Sequence, residues 1–475
     1  MTQLISEAPE AALIPAASSA PPSASQKPPV AVPTRAVGVE LLGQYQGSGY
    51  RQPPWLVRRG DGQTVQTSRL LYQVLTSVDG RRDSAGIAAA VSAASGRSVS
   101  AENVDYLLDH KLRPLGLLAS DRSATAPTAN PLLALQARRT LVSARGSNAA
   151  ALVLRPLFRP VVVVAVLVAF FSLDYWVFVM HGLGAGLGQL LRDPPTVLVL
   201  LGLTLAGALF HECGHAAACR YGGARPGKIG VGIYIVWPAF FTNVTDSYRL
   251  SRAGRLRTDL GGLYFHAVFI VGLAGLYNAT GAEVLLLAIA STQWLMIEQL
   301  LPFVRFDGYF ILSDLVGVPD LFARVGPILR SVRRPGRRDP RVAGLRRGVR
   351  VVVTAWVICV LPLLTFMIGM LLLRLPGMDS VLLHTGWLAG QGMLGALGHA
   401  DFPLALVLLV NLLLAALSVA GATYILVGIG RRTVRHAARW CAGKPGRRAV
   451  TVTAGLAVTA GVVAFWTATG QFSGW

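Results

Sequence analysis

Long apolar runs broken by basic stretches dominate the chain from about residue 156 onward, and the earlier part carries shorter, mixed segments. Seven runs are long enough to cross about 30 Å of hydrocarbon as helices. Their limits are 159–180, 196–219, 260–280, 283–302, 350–373, 403–428 and 449–468. Only the turn NATGAE separates the third from the fourth. The piece IGVGIYIVWPAFF, 229–241, is apolar but short and carries Pro238. It is expected as a re-entrant or interfacial segment, with an edge strand available in it.

Residues 36–120 read differently. PWLVRRGDGQTVQT places two short β-type runs around Gly60-Asp61-Gly62, a hairpin signal. A helix with Leu70, Leu71, Val74 and Leu75 on one face should end by Gly80. A second is capped by Asp83 and stopped by Gly96, and a third is capped by Ser100. PLGLLAS should close the unit as a strand, giving a small α+β, winged-helix-like domain. Residues 1–35, rich in Ala, Pro and Ser, are expected to be a disordered tail; they lack the pattern of a secretory signal peptide. Residues 121–155 are expected to be a linker. The remainder divides into a core, 156–325, and C-terminal transmembrane helices with basic loops, 326–475.

Composition agrees with the runs. The 475 residues are 53% hydrophobic and 14% charged, with a mean hydropathy of +0.52. This is the profile of an α-helical polytopic membrane protein. The net charge of +21 raises nucleic acid as a partner, but the basic residues lie in blocks between apolar runs and no nucleic-acid motif accompanies them. The blocks alternate: five arginines at 138–159, then seven, eleven and seven Lys/Arg after the second, fourth and sixth runs. The other loops hold only Arg192 and Arg374. The positive-inside rule then expects a multi-pass protein of the cell membrane, its N-terminal domain cytoplasmic and Trp475 outside. Four cysteines without a CxxC pair indicate neither a disulfide framework nor a thiolate zinc site.

The second run contains FHECGHAAAC. His211 and His215, at i and i+4, face the same way on a helix, so both imidazoles reach one ion. Glu212 beside them can take a proton from a water activated there. Catalytic zinc uses three protein ligands and an open position. Asp307, in LLPFVRFDGYFILSDL, is the third candidate. His211 lies about fifteen residues into its run, roughly 22 Å along a helix. The fourth run crosses in the same direction, and Asp307 follows its end, so all three fall near the cytoplasmic face. Cys213, about 200° round the helix from His211, should point away.

His211-Glu212-x-x-His215 with Pro302-x4-Asp307-Gly308 resembles the site-2 protease class of intramembrane zinc metalloproteases. VWPAFFTNVTDSYRLSRAGRLRTDLGG and FDGYFILSDLVGVPDL resemble its peptide zinc metalloprotease branch. The resemblance covers roughly 195–325. It implies His211, His215 and Asp307 as zinc ligands and Glu212 as catalytic base. Two positions depart from the family: Gln299 and His266 stand where it commonly has asparagines that help hold substrate or oxyanion. Both can donate hydrogen bonds. For His266, a packed histidine bonded to a backbone carbonyl is an equal reading. For Asn243, lining the site stands against making a turn, and the turn is favoured.

The N-terminal domain resembles PqqD-like leader-binding modules of ribosomal-peptide maturation. That implies a peptide or protein substrate, entering from membrane or cytoplasm, of the daptide-like precursor kind. Two other functions stay open: regulated cleavage of a membrane-anchored transcription regulator, and a non-catalytic export or immunity role. The sequence carries no signal for oligomeric state.

Overall fold

The computed structural model describes residues 4–5, 32–60, 63–119, 136–193, 195–234, 237–333, 339–443 and 445–468. The expected tail therefore lies outside the described residues except at β1 (Leu4–Ile5) and from residue 32 on, as does much of the linker.

The N-terminal sheet region contains β2 (Glu40–Gln44), β3 (Trp55–Arg58) and β4 (Thr64–Thr67), in a sheet ordered β1-β4-β3-β2. β3 and β4 form the expected antiparallel hairpin. Three helices follow: α1 (Arg69–Ser77), α2 (Ser84–Ser95) and α3 (Ala101–Leu107). Ser68, Asp83 and Ser100 each cap a helix through the side chain, and Gly96 ends α2 in the left-handed region. Val57, Val65, Val74, Leu75, Ile87, Val91 and Leu112 pack into one core. PLGLLAS does not form the closing strand; its only pairing among the described residues is a single bridge, Leu118 to Arg35. β2 takes that side of the sheet instead, by pairing with β3.

Within the stretch expected to be linker, β5 (Gln136–Val142) and α4 (Ala144–Leu154) are ordered structure. Apolar helices follow: α5 (Pro160–Tyr175), the short α6 (Gly184–Arg192) and α7 (Thr196–Tyr221). The 229–241 piece is a hairpin, β6 (Ile229–Tyr234) and β7 (Trp237–Thr242). β5 pairs with β6, giving the order β5-β6-β7. Next come α8 (Arg252–Thr280), α9 (Val284–Leu300), α10 (Asp307–Val316), α11 (Phe322–Arg333) and α12 (Pro340–Ala343). The chain ends in α13 (Arg347–Gly398), α14 (Phe402–Cys441) and α15 (Pro445–Ala468).

Among the described residues, six helices are long and apolar enough to cross a membrane, which makes this a multi-pass membrane protein. The expected fourth crossing, α9, is a 17-residue apolar helix, shorter than the rest. Its first half, Val284–Ile289, is buried against α5 and α8 rather than facing outward. α8 opens at Arg252, not near 260. The stretch between the expected fifth and sixth runs, from residue 374 on, is helical as far as Gly398, so that α13 is one continuous helix of 52 residues. At 1.5 Å per residue that helix is roughly 78 Å long, more than twice the hydrocarbon thickness.

α7 and α8 pack at backbone distance. A Cβ at Gly214 would stand 2.3 Å from the Gly261 carbonyl, and one at Gly261 would stand 2.8 Å from Ala218 Cβ. Small residues at these positions let two apolar helices approach without side chains between them.

Candidate metal centre

α7 carries His211, Glu212 and His215 on consecutive turns, and α10 brings Asp307 on its first residue. Both histidines and Asp307 are buried. Their ligand atoms form a near-regular triangle. His211 Nε2 lies 3.1 Å from His215 Nε2. Asp307 Oδ2 lies 3.1 Å from His211 Nε2 and 3.4 Å from His215 Nε2. A tetrahedral zinc with bonds of 2.0–2.1 Å has ligand–ligand edges of roughly 3.3–3.4 Å. The triangle fits that size, so the three residues could hold zinc and leave a fourth position open.

The protonation pattern fits too. His215 Nδ1 lies 2.8 Å from the Thr258 carbonyl, which only a ring N–H can satisfy. In the neutral ring this leaves the Nε2 lone pair facing the triangle.

Glycine makes room. A Cβ at Gly262 on α8 would stand 2.3 Å from His211 Nε2 and 2.6 Å from His215 Nε2. Gly308 serves the third ligand: its Cβ would stand 2.0 Å from the Leu300 carbonyl. The turn before Asp307 is tied on two sides. The Arg305 N–H donates to Tyr234 Oη of β6 at 2.8 Å, and Trp356 Nε1 of α13 donates to the Pro302 carbonyl at 2.8 Å. Gly308→Ala is expected to open this turn, at a cost of about 1–3 kcal/mol typical of overpacking. The check is a lowered thermal midpoint in detergent, accompanied by reduced metal content.

Glu212 is half-buried. Its backbone carbonyl accepts from Thr242 Oγ1 at 3.0 Å, which fastens the end of β7 to the helix turn carrying both histidines.

The remaining candidates separate. The His266 ring is fully buried with its centroid 4.5 Å from that of His211, and neither ring nitrogen has a hydrogen-bond partner among the described residues. The backbone-bonded packing reading therefore does not hold. Gln299 is half-buried near the end of α9, and its Oε1 also lacks a partner there. Asn243 Oδ1 accepts from Thr245 N and Oγ1 at 3.1 and 2.6 Å, so its side chain builds the turn after β7. Cys213 packs toward Phe158 and Phe265, on another face of α7.

Against known proteins, 114 residues are 27% identical to a Bacillus subtilis protein named "Putative peptide zinc metalloprotease protein YydH". The match covers 24% of this chain and 45% of that relative, so the chain spans under half the relative's length. No protein-family model matches the chain. No solved structure matches it.

Sequence reasoning missed Thr258, Gly262 and the Arg255–Asp314 ion pair. The adjacent Gly261-Gly262 inside an apolar helix was the available signal, because such glycines mark close approach.

Proposed function

We propose that this chain is an intramembrane zinc metalloprotease that hydrolyses a peptide bond in a ribosomally made precursor. The triangle of His211, His215 and Asp307 carries the reading, because its edges suit zinc and Glu212 stands beside it. The likeness to a protein named for peptide zinc metalloprotease activity supports the reaction class.

Zinc in such a site supplies Lewis acidity toward a peptide carbonyl and lowers the pKa of a water toward about 7. The chain's own residues do the rest. Glu212 accepts the proton of the attacking water on its carboxylate and returns it to the leaving amine. Thr258 holds His215 in the ligating tautomer. His266 and Gln299 offer N–H donors to the carbonyl oxygen as it gains charge. The substrate adds as an extended strand at β7, one of the two edge strands of the β5-β6-β7 sheet and the one bonded to the Glu212 turn. The N-terminal domain, in the cytoplasm, captures the leader, and the C-terminus lies outside.

The test uses the full chain purified in detergent. About one zinc per chain by elemental analysis, lost in His211→Ala and Asp307→Ala, is expected. Peptides co-purifying with Glu212→Gln, cut by the wild type and spared after chelation, would identify the substrate class. Wild-type protein that takes up no zinc would overturn the reading.

A further inference from the structure

Seven residues separate Arg255 from Gly262 on α8, and seven separate Asp307 from Asp314 on α10. Seven residues make about two turns, roughly 10.5 Å, so each pair shares one face of its helix. The two faces meet in opposite chain order. At one end, Gly262 abuts the histidine rings that close on Asp307. At the other end, Arg255 Nε donates to Asp314 Oδ1 at 2.8 Å.

The Arg255 end is built without slack. Arg255 is 0% exposed. Its Nη1 donates to the Leu250 carbonyl and its Nη2 to the Gln46 carbonyl, each at 3.0 Å. Tyr45, on the loop after β2, is also 0% exposed. Its hydroxyl donates to the same Asp314 oxygen at 2.6 Å, and its ring lies 4.2 Å from the guanidinium carbon. The loop continues onto the end of α10, where the Gly49 N–H donates to the Gly317 carbonyl at 2.9 Å. Gly317 sits at φ +68, and a Cβ there would stand 2.4 Å from the Gly47 carbonyl.

We propose that Arg255 and Tyr45 are positioning residues of the metal centre. By pinning Asp314 they set the register of α10 on α8, and that register delivers Asp307 to His211 and His215. The N-terminal domain is thereby part of the metal site's scaffold and not an appended module. A slip of α10 by one residue would move Asp307 by about 1.5 Å and 100° and remove it from the triangle. It would also break the buried Arg255–Asp314 pair, which is why one register is held strongly.

The inference rests on the zinc reading, and the test separates the two. Tyr45→Phe removes one hydroxyl and keeps the ring under Arg255. Tyr50→Phe breaks another contact between domain and core, the bond from Arg324 Nη2 at 2.7 Å, which does not involve α10. Both full-length variants are loaded with zinc and challenged with a chelator, then loaded with cobalt(II) for visible absorption. Tyr45→Phe is expected to release zinc about fivefold faster and to shift the cobalt bands. Tyr50→Phe should match the wild type in both. Should Tyr45→Phe fail to fold, Asp314→Asn is read in the same way. Metal-free wild type would sink the zinc reading itself. A metal-loaded wild type with unchanged release and spectrum in Tyr45→Phe would overturn the positioning role alone. Equal effects of Tyr45→Phe and Tyr50→Phe would also overturn it, by showing a general loosening of the domain.

Discussion

Glu212→Gln is expected to keep zinc bound while cutting peptide hydrolysis about 10²–10⁴-fold, the range for removing a general base. Glutamine has nearly the same volume and still fits the half-buried site, but its amide cannot accept the water's proton. The residue's backbone role is untouched, because the Thr242 hydroxyl bonds the Glu212 carbonyl and not its side chain. The three ligand atoms come from other residues, so metal content should stay at the wild-type value. The measurement is a single-turnover cleavage rate on a peptide trapped by the variant, alongside elemental analysis. A rate within about threefold of wild type would remove Glu212 from the chemistry.

Gly262→Ala is expected to abolish zinc binding although it alters no ligand. Its new carbon would stand 2.3 Å from both Cε1 and Nε2 of His211 and 2.6 Å from His215 Nε2. His215 cannot retreat freely, since its Nδ1 is bonded to the Thr258 carbonyl one turn away on the same helix α8. α8 cannot slide along α7 to make room either, because Gly261 of α8 already lies against Gly214 and Ala218 of α7. The strain therefore falls on the ligand triangle. Zinc per chain should drop to background, and activity with it, while the protein still elutes as a folded species in detergent. Normal zinc content in this variant would show that α8 yields more readily than its packing indicates.

The histidine pair on α7 was legible because one helix fixes it. Positions i and i+4 share a face whatever surrounds them, and polar residues in an apolar run stand out. Asp307 was singled out by expected depth, from reading the fourth run as a full crossing; α9 is shorter than that, and the buried triangle is what brings Asp307 to the histidines. The helix caps Asp83 and Ser100 were legible for the same local reason. The failures were non-local. β5, expected as linker, joins β6 across a gap of about ninety residues, and nothing in its own pattern shows that partner. The continuous α13 was missed because glycines and a proline signal a break when read locally, whereas the helix continues through them.

Alone, the sequence determined the membrane class and the HExxH helix and singled out Asp307 as the third candidate, because helical period and hydropathy are properties of short segments. Only the tertiary structure decided the spacing of the triangle, the clearance at Gly262 and the hold of Arg255 and Tyr45 on Asp314. Those depend on how closely two helices approach and in which register they meet. Buried contacts between distant segments fix both quantities, and no single stretch of chain contains them.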